Sequence, residues 1–269
     1  MNPINQANEE KFHDEWAASV DVGAIQVKNL FESASCPENK QILEWMGPLK
    51  GKRLLEIGCG LGESSTYFAM QGAIVTASDL SEGMLEVTRR LAQKNSVSVQ
   101  TLKVSAMDMS ALPDATYDYV YAANLLHHVD IASFIRDIKK KLKPGGTAFF
   151  WDPVHYNPLI NVYRTMATQV RTEDEHPLKR SDLDLIQKEF PHVEVRFAWY
   201  TALAVFLKFF LIDRIHPSQS RYWKKIIDDA DQISPWLKVL HKIDRILFSW
   251  IPGVRWLGWN IIIKARIDP

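Results

Sequence analysis

Apolar and polar positions alternate in two different rhythms along the chain. Up to about residue 50 the apolar residues recur every three or four positions. KFHDEWAASVDV, VKNLFES and ENKQILEWMG each read as a helix, the last stopped by Gly47-Pro48. From Arg53 onward short apolar runs take turns with amphipathic stretches. RLLEIG, AIVTASD, VSVQTLKVS, YDYVYAAN and TAFFWD read as strands, and HVEVRFAWY and WNIIIKARI add two more. GESSTYFAMQ, SEGMLEVTRRLAQKN and IASFIRDIKKKLK read as the helices between them. Ser81 is placed to cap the second of these helices, and Pro144-Gly145-Gly146 stops the third.

Strands alternating with helices predict an α/β fold with a doubly wound, mainly parallel seven-stranded sheet. Ligands in such sheets bind beyond the carboxyl ends of the strands, where the strand order reverses. The pattern divides the chain into a helical cap over residues 1–50, a core over 51–202, an insertion over 203–258 and a final core strand over 259–269. No repeat and no low-complexity tract interrupts it.

The insertion is the unusual part, since a structureless loop of that length is improbable inside a compact domain. It reads as three helices: ALAVFLKFFLIDRI, SRYWKKIIDDADQI and PWLKVLHKIDRILFSWI. Six of the nine tryptophans lie from Trp199 onward, and residues 203–258 hold nine Lys and Arg against five Asp, a balance of +4. Aromatic, basic, amphipathic helices suit a membrane interface. They suit equally a lid over an apolar pocket or an interface between copies.

Composition narrows the partners. A formal net charge of zero argues against nucleic acid, whose binders carry a basic excess. Cys36 and Cys59 have no metal-ligand spacing, so no metal site is expected. The polar, acidic opening MNPINQANEEKFHDEW does not read as a signal peptide, and no apolar run reaches the ~18 residues that span a bilayer. The expected place is the cytoplasm, or the periphery of the inner membrane face.

The candidate chemistry starts at LLEIGCGLGESS, residues 54–65. Gly58, Gly60 and Gly62 give GxGxG; the dinucleotide pattern GxGxxG needs glycine at 63, where Glu63 stands. Glu56 at the strand end would repel a pyrophosphate and suits a ligand carrying an ammonium group. Asp79 ends the second strand, where a carboxylate can accept bonds from both hydroxyls of a ribose. S-adenosylmethionine has a ribose, an amino group and no phosphate.

At these residues the chain resembles the class I S-adenosylmethionine-dependent methyltransferases, in particular the group of ubiquinone/menaquinone and small-molecule methyltransferases. The resemblance covers roughly residues 50–155. LLEIGCGLG is similar to the family's first motif and SDLSEGML to its second. AMDMSALP resembles a loop segment in which Met107 replaces the usual glycine, YDYVYAANLLHHV the fourth-strand motif, and LKPGG the turn before the fifth strand. The resemblance implies that Glu56 holds the methionine portion, Asp79 the ribose and Asp108 the adenine amino group. It implies further that Met84 packs on the adenine, Met109 donates its backbone N–H to the ring, and residues 12–27 fold over the cofactor. The implied cofactor-binding set is Glu56, Gly58, Cys59, Gly60, Gly62, Asp79, Leu80, Met84, Asp108, Met109 and Asn124. Met84 and Met109 also read as plain core packing, and Cys59 as a residue chosen for its size.

The catalytic candidates follow the fourth and fifth strands. His127 and His128 lie just past the fourth strand, where an imidazole can serve as general base or, more plainly, cap a turn. Asp152 ends the fifth strand and is placed to orient either histidine, or else to start the Asp152-Pro153 turn. His155, Tyr156 and Asn157 could line an acceptor pocket, and Arg164, Arg171 and His176 could bind an acidic or phenolic group. The expected activity is methyl transfer to an oxygen or carbon of an apolar small molecule or lipid-like acceptor such as a quinone, polyketide or terpenoid. A non-catalytic, membrane-associated scaffold or sensor that binds the same cofactor is the rival. A nicotinamide-dependent reductase is disfavoured by Glu56 and Glu63. An adenine-type amino methylase would carry Asn-Pro-Pro-aromatic where Asn124-Leu125-Leu126-His127 stands.

Overall fold

The computed structural model describes residues 3–166 and 176–269, and its seven strands form one sheet. They are β1 (Arg53–Ile57), β2 (Ile74–Asp79), β3 (Gln100–Lys103), β4 (Tyr117–Ala123), β5 (Leu142–Pro153), β6 (His192–Ala198) and β7 (Asn260–Arg266), in the order β3-β2-β1-β4-β5-β7-β6. β1 to β5 pair in parallel, and β7 runs antiparallel between β5 and β6. The expected doubly wound, mainly parallel α/β sheet is therefore present, with the strand order reversing between β1 and β4.

Successive strand residues face opposite layers. Leu54, Val75, Tyr121, Phe149 and Ile262 point to one face, which is covered by α4 (Glu63–Met70), α5 (Glu82–Lys94), the N-terminal helices and the insertion. Leu55, Ile57, Val120, Phe150 and Ile263 point to the other, covered by α6 (Ile131–Lys141) and α8 (Arg180–Glu189). This burial on both sides explains why the central strands are apolar throughout. The N-terminal helices are α1 (Pro3–Ala18), α2 (Asn29–Glu32) and α3 (Pro37–Met46), and α7 (Pro158–Met166) follows β5.

Three elements differ from the sequence pattern. LKPGG is part of β5 rather than a turn before it: the pairing with β4 slips between Tyr117 and Tyr119, so residues 143–146 bulge from the strand. The helix Arg180–Glu189 was not anticipated, because only Leu183 and Ile186 of RSDLDLIQKE are buried. In the insertion, the stretch from Ala204 forms a short α9 (Ala204–Leu207) and a π-turn (Lys208–Ile212), followed by α10 (Tyr222–Asp228) and α11 (Ala230–Trp250). The break falls at Asp229, and α11 runs through Pro235. Pro235 lacks the N–H that would serve the Asp231 carbonyl, but both residues are exposed and water can take its place.

Two glycines of the loop after β1 answer to different neighbours. Gly62 (φ +78°) begins α4 so close to α5 that a Cβ would lie 2.4 Å from Thr88 Oγ1. Gly60 (φ +51°) has nothing within 4 Å of where a Cβ would sit. Gly62→Ala is expected to destabilise the protein by about 2–4 kcal/mol, from clash plus strain. Gly60→Ala should cost only about 1–2 kcal/mol, from the positive φ alone. Urea unfolding of both variants checks the ranking, and a reversed order would show that the α4–α5 approach is not what requires glycine.

Candidate active site

The chemistry-bearing residues gather at the carboxyl ends of the parallel strands. Asp79, the last residue of β2, lies 8% exposed. Its Oδ1 accepts the Ser81 N–H (3.0 Å) and its Oδ2 accepts the Gly60 N–H (2.8 Å). The strand end and the glycine loop are thus pinned together, and a carboxylate so held keeps two lone-pair positions for hydroxyl donors. Burial raises its pKa in spite of these bonds. Glu56 is buried near the end of β1, accepts the Ser65 hydroxyl, and is pushed up to about 8 by burial. A cation entering beside it would reverse that shift. The pair Glu56 and Asp79 with open space at Gly60 fits a ligand bearing an ammonium group and a ribose.

The second cluster is built by the loop between β4 and α6. Asn124 takes φ +51° and is exposed, and its N–H donates to the Trp151 carbonyl (2.9 Å). Asp152 is completely buried. It accepts the backbone N–H groups of Leu125 (3.3 Å), Leu126 (3.1 Å) and His127 (3.3 Å), and its Oδ1 lies 2.5 Å from His127 Nδ1. An acceptor already serving three N–H groups requires its fourth partner to donate, so Nδ1 carries a proton, and in the neutral ring Nε2 is the nitrogen with the lone pair. Of the two histidines, His127 is therefore the one that Asp152 orients. His128 turns its Nδ1 to Glu9 of α1 (3.1 Å). Asp152 and Pro153 are the last two residues of β5, so the strand runs through the expected Asp152-Pro153 turn.

The N-terminal cap and the insertion close over the first cluster. Asp14 of α1 accepts the Ser81 hydroxyl (2.5 Å) and the Gly83 N–H (3.0 Å). His13 lies within electrostatic reach of Asp79; burial lowers its pKa, and its Nδ1 is buried with no partner. Arg221, just before α10, stacks on Trp16 (4.7 Å) and Phe12 (5.8 Å) of α1. Glu63 is pushed up to about 7 by burial, with Lys224 and Asp228 of α10 nearby. Glu38 of α3, also pushed up to about 7 by burial, accepts from the Asn260 amide (2.6 Å). Sequence reading passed over His13, Asp14, Glu38 and Arg221. No local motif marks them, and only the packing of the cap and insertion brings them to the strand ends.

Several expected site residues lie elsewhere. Asp108 is exposed, accepts the Ser110 N–H (3.1 Å), and borders a surface groove with Lys140 and Lys141 on the α6 side of the sheet. Its N–H donates to the Ser105 carbonyl (3.0 Å), and the Ser105 hydroxyl meets Gln6 of α1 (2.9 Å). Met109 is core on that same α6 side, so its side chain faces away from the Asp79 cluster. Met84 is fully buried under α1 with Ala17 and Val87. Cys59 packs against Ala77 and Leu85, its Sγ meets the Gly60 carbonyl (3.8 Å), and its N–H donates to the Ser78 carbonyl (3.0 Å). Leu80 is half-buried beside Asp79. Asn157 caps α7 rather than lining a pocket, His155 is exposed, and Tyr156 meets Arg180 and Trp256 at the surface. Arg164 is half-buried on α7, the His176 N–H donates to the His127 carbonyl (3.0 Å), and Arg171 lies outside the described residues. Among the described residues no group of three or more His, Cys, Asp or Glu could hold a metal ion.

Residues 55–150 match a family model described as a methyltransferase domain. The ubiquinone biosynthesis O-methyltransferase of Pseudomonas savastanoi pv. phaseolicola is 34% identical over 122 residues, covering 45% of this chain and 52% of the relative. That of Bordetella pertussis is 39% identical over 110 residues, covering 40% of this chain and 46% of the relative. The chain thus spans about half the length of the curated relatives it matches. Among solved structures, an S-adenosylmethionine dependent methyltransferase from Mesorhizobium loti superposes with a TM-score of 0.53 at 18% identity, over 88% of this chain and 99% of that one. A Haemonchus contortus phosphoethanolamine N-methyltransferase, in complex with phosphomonomethylethanolamine and S-adenosylhomocysteine, gives 0.58 at 21% identity, over 96% of this chain and 56% of that one. Both likenesses are of fold.

The buried carboxyls set a pH dependence. Folded-state values of about 7 for Glu38, 8 for Glu56 and 7 for Glu63 stand above the ~4.3 of an unfolded glutamate. Between those limits the folded chain holds protons that the unfolded chain has released. Their contribution is full below the unfolded value and is lost as pH rises through the folded values. The unfolding free energy is expected to fall between roughly pH 5 and pH 8, by up to ~1.4 kcal/mol per pH unit for each carboxyl still protonated, with a shallower slope in Glu56→Gln. A urea series across that range checks it, and rising stability would mean that the carboxyls fold ionised.

Proposed function

We propose that this chain, which carries a class I S-adenosylmethionine-dependent methyltransferase domain, methylates an oxygen or carbon of an apolar small molecule, with an oxygen on a quinone-type ring as the preferred acceptor. The observation that carries this reading is the imidazole of His127, held by a buried carboxylate beside the cofactor-binding strand ends. The relatives' name, O-methylation in ubiquinone biosynthesis, supports an oxygen nucleophile and a quinone-type ring.

The residues present fit the cofactor. Glu56 would take the ammonium of the methionine portion and Asp79 the ribose hydroxyls, with Gly60 leaving room for close approach. The cofactor brings a methyl group already activated by its sulfonium, so the chain has to align the acceptor with that methyl and exclude water. α1, α3 and α10 serve the exclusion by covering the strand ends. Tyr163, Phe206, Phe209 and Tyr222 pack ring on ring between α7 and the insertion and make this part of the cover apolar, which suits a greasy acceptor. Nε2 of His127 would accept the acceptor hydroxyl's proton as that oxygen takes the cofactor's methyl group, and Asp152 would stabilise the imidazolium. Asn124 stands at the strand end beside this position.

Purified protein, methyl-labelled S-adenosylmethionine and cell extract provide the test. Label is expected in the organic phase. With a phenolic acceptor, His127→Gln should lower turnover by about 10²–10³-fold while cofactor binding holds. Label confined to protein or nucleic acid, or cofactor binding with no transfer at all, would refute the reading. The second outcome would favour a non-catalytic scaffold or sensor.

A further inference from the structure

α11 has three faces. Ile233, Leu237 and Asp244 are buried against the rest of the fold, where Asp244 accepts the N–H groups of Tyr200 (3.0 Å) and Thr201 (2.6 Å). Trp236, Val239, Ile243, Ile246 and Trp250 follow one another at intervals of three and four and so make one stripe along the helix. The whole stripe is exposed, Trp236 at 74% and Trp250 at 82%. Lys238, Lys242 and Arg245 fall along one edge of that stripe, at ~100° per residue, and all three are exposed. Lys208 pairs with Asp213 and Lys225 with Asp229, whereas Lys238, Lys242 and Arg245 are in no ion pair among the described residues.

Fold stability gives no reason for two tryptophans in water, and soluble monomers rarely expose a continuous apolar patch of this kind. The stripe lies opposite the face that packs on the domain, so it does not line the active site. We propose that α11 lies in the plane of an anionic lipid surface, with the tryptophan stripe at the acyl-chain boundary and Lys238, Lys242 and Arg245 on the phosphate headgroups. Tryptophan favours that boundary because its ring is apolar and its N–H is polar. No helix among the described residues is long and apolar enough to cross a membrane, which leaves the in-plane arrangement. Charge decides between a lipid and a second copy. Two copies of α11 packed antiparallel about a twofold axis would set each basic edge against its own image, with Asp231 the one acid along it. An anionic bilayer complements the same edge. This surface stands apart from the methyl-transfer reading, and its test does not depend on turnover.

The test is flotation of the full chain with vesicles of phosphatidylcholine alone, and with vesicles in which roughly one-third is phosphatidylglycerol. Binding is expected to the anionic vesicles and to weaken with salt. The Trp236→Ser/Trp250→Ser and Lys238→Glu/Lys242→Glu double variants should each lower the vesicle-bound ratio by about tenfold or more. S-adenosylmethionine binding reports that each variant is folded and should be unchanged. Equal binding to both vesicle types would overturn the anionic-lipid assignment. Failure to float would overturn the proposal, and a concentration-dependent dimer lost in Trp250→Ser would then assign the face to a second copy.

Discussion

The candidate site depends on one buried carboxylate. Asp152 has no exposure to water, and a buried charge is tolerable only when its oxygens are satisfied. All four of its donors come from the segment just past β4: three backbone N–H groups and the ring of His127. That demand shapes the loop, ties the end of β4 to the end of β5, and settles which imidazole nitrogen keeps its lone pair. The neighbouring positive φ of Asn124 follows from the same loop leaving its strand sharply while its N–H stays bonded to Trp151.

Three other buried carboxyls follow the opposite logic. Glu56, Glu38 and Glu63 are buried with too few donors to stay charged at neutral pH. Such a group is a cost to the empty fold and a source of affinity for a cation, because a positive ligand restores the ionised form. A sulfonium-bearing amino acid ligand has the right sign. The cap reaches both clusters: Asp14 and His13 of α1 meet groups beside Asp79, and Glu9 meets His128.

The insertion works on two fronts. α10 and the residue before it meet the cap and the glycine loop, through Arg221 on Trp16 and Lys224 near Glu63. α11 packs by one face and offers the other to its surroundings. A cover over the strand ends and an outward apolar stripe were alternatives as sequence patterns; in the fold they belong to different helices of one segment.

Most of the sheet was legible in the sequence, because two-sided burial writes continuous apolar runs and the turns between them carry Gly, Pro or a cap such as Ser81. The glycine loop, Glu56 and Asp79 were legible for a local reason: each sits where a strand ends, and the backbone there admits few alternatives. The helix Arg180–Glu189 and the break at Asp229 were not, since a mostly solvated helix and an exposed proline leave weak periodic signals. By itself, then, the sequence determined the fold class, the cofactor chemistry and the residues at the strand ends, all of which rest on contacts close along the chain. Only the tertiary structure decided which histidine meets Asp152 and which helix face is left bare. Those depend on side chains brought together from distant parts of the chain, and residue spacing carries no record of such meetings.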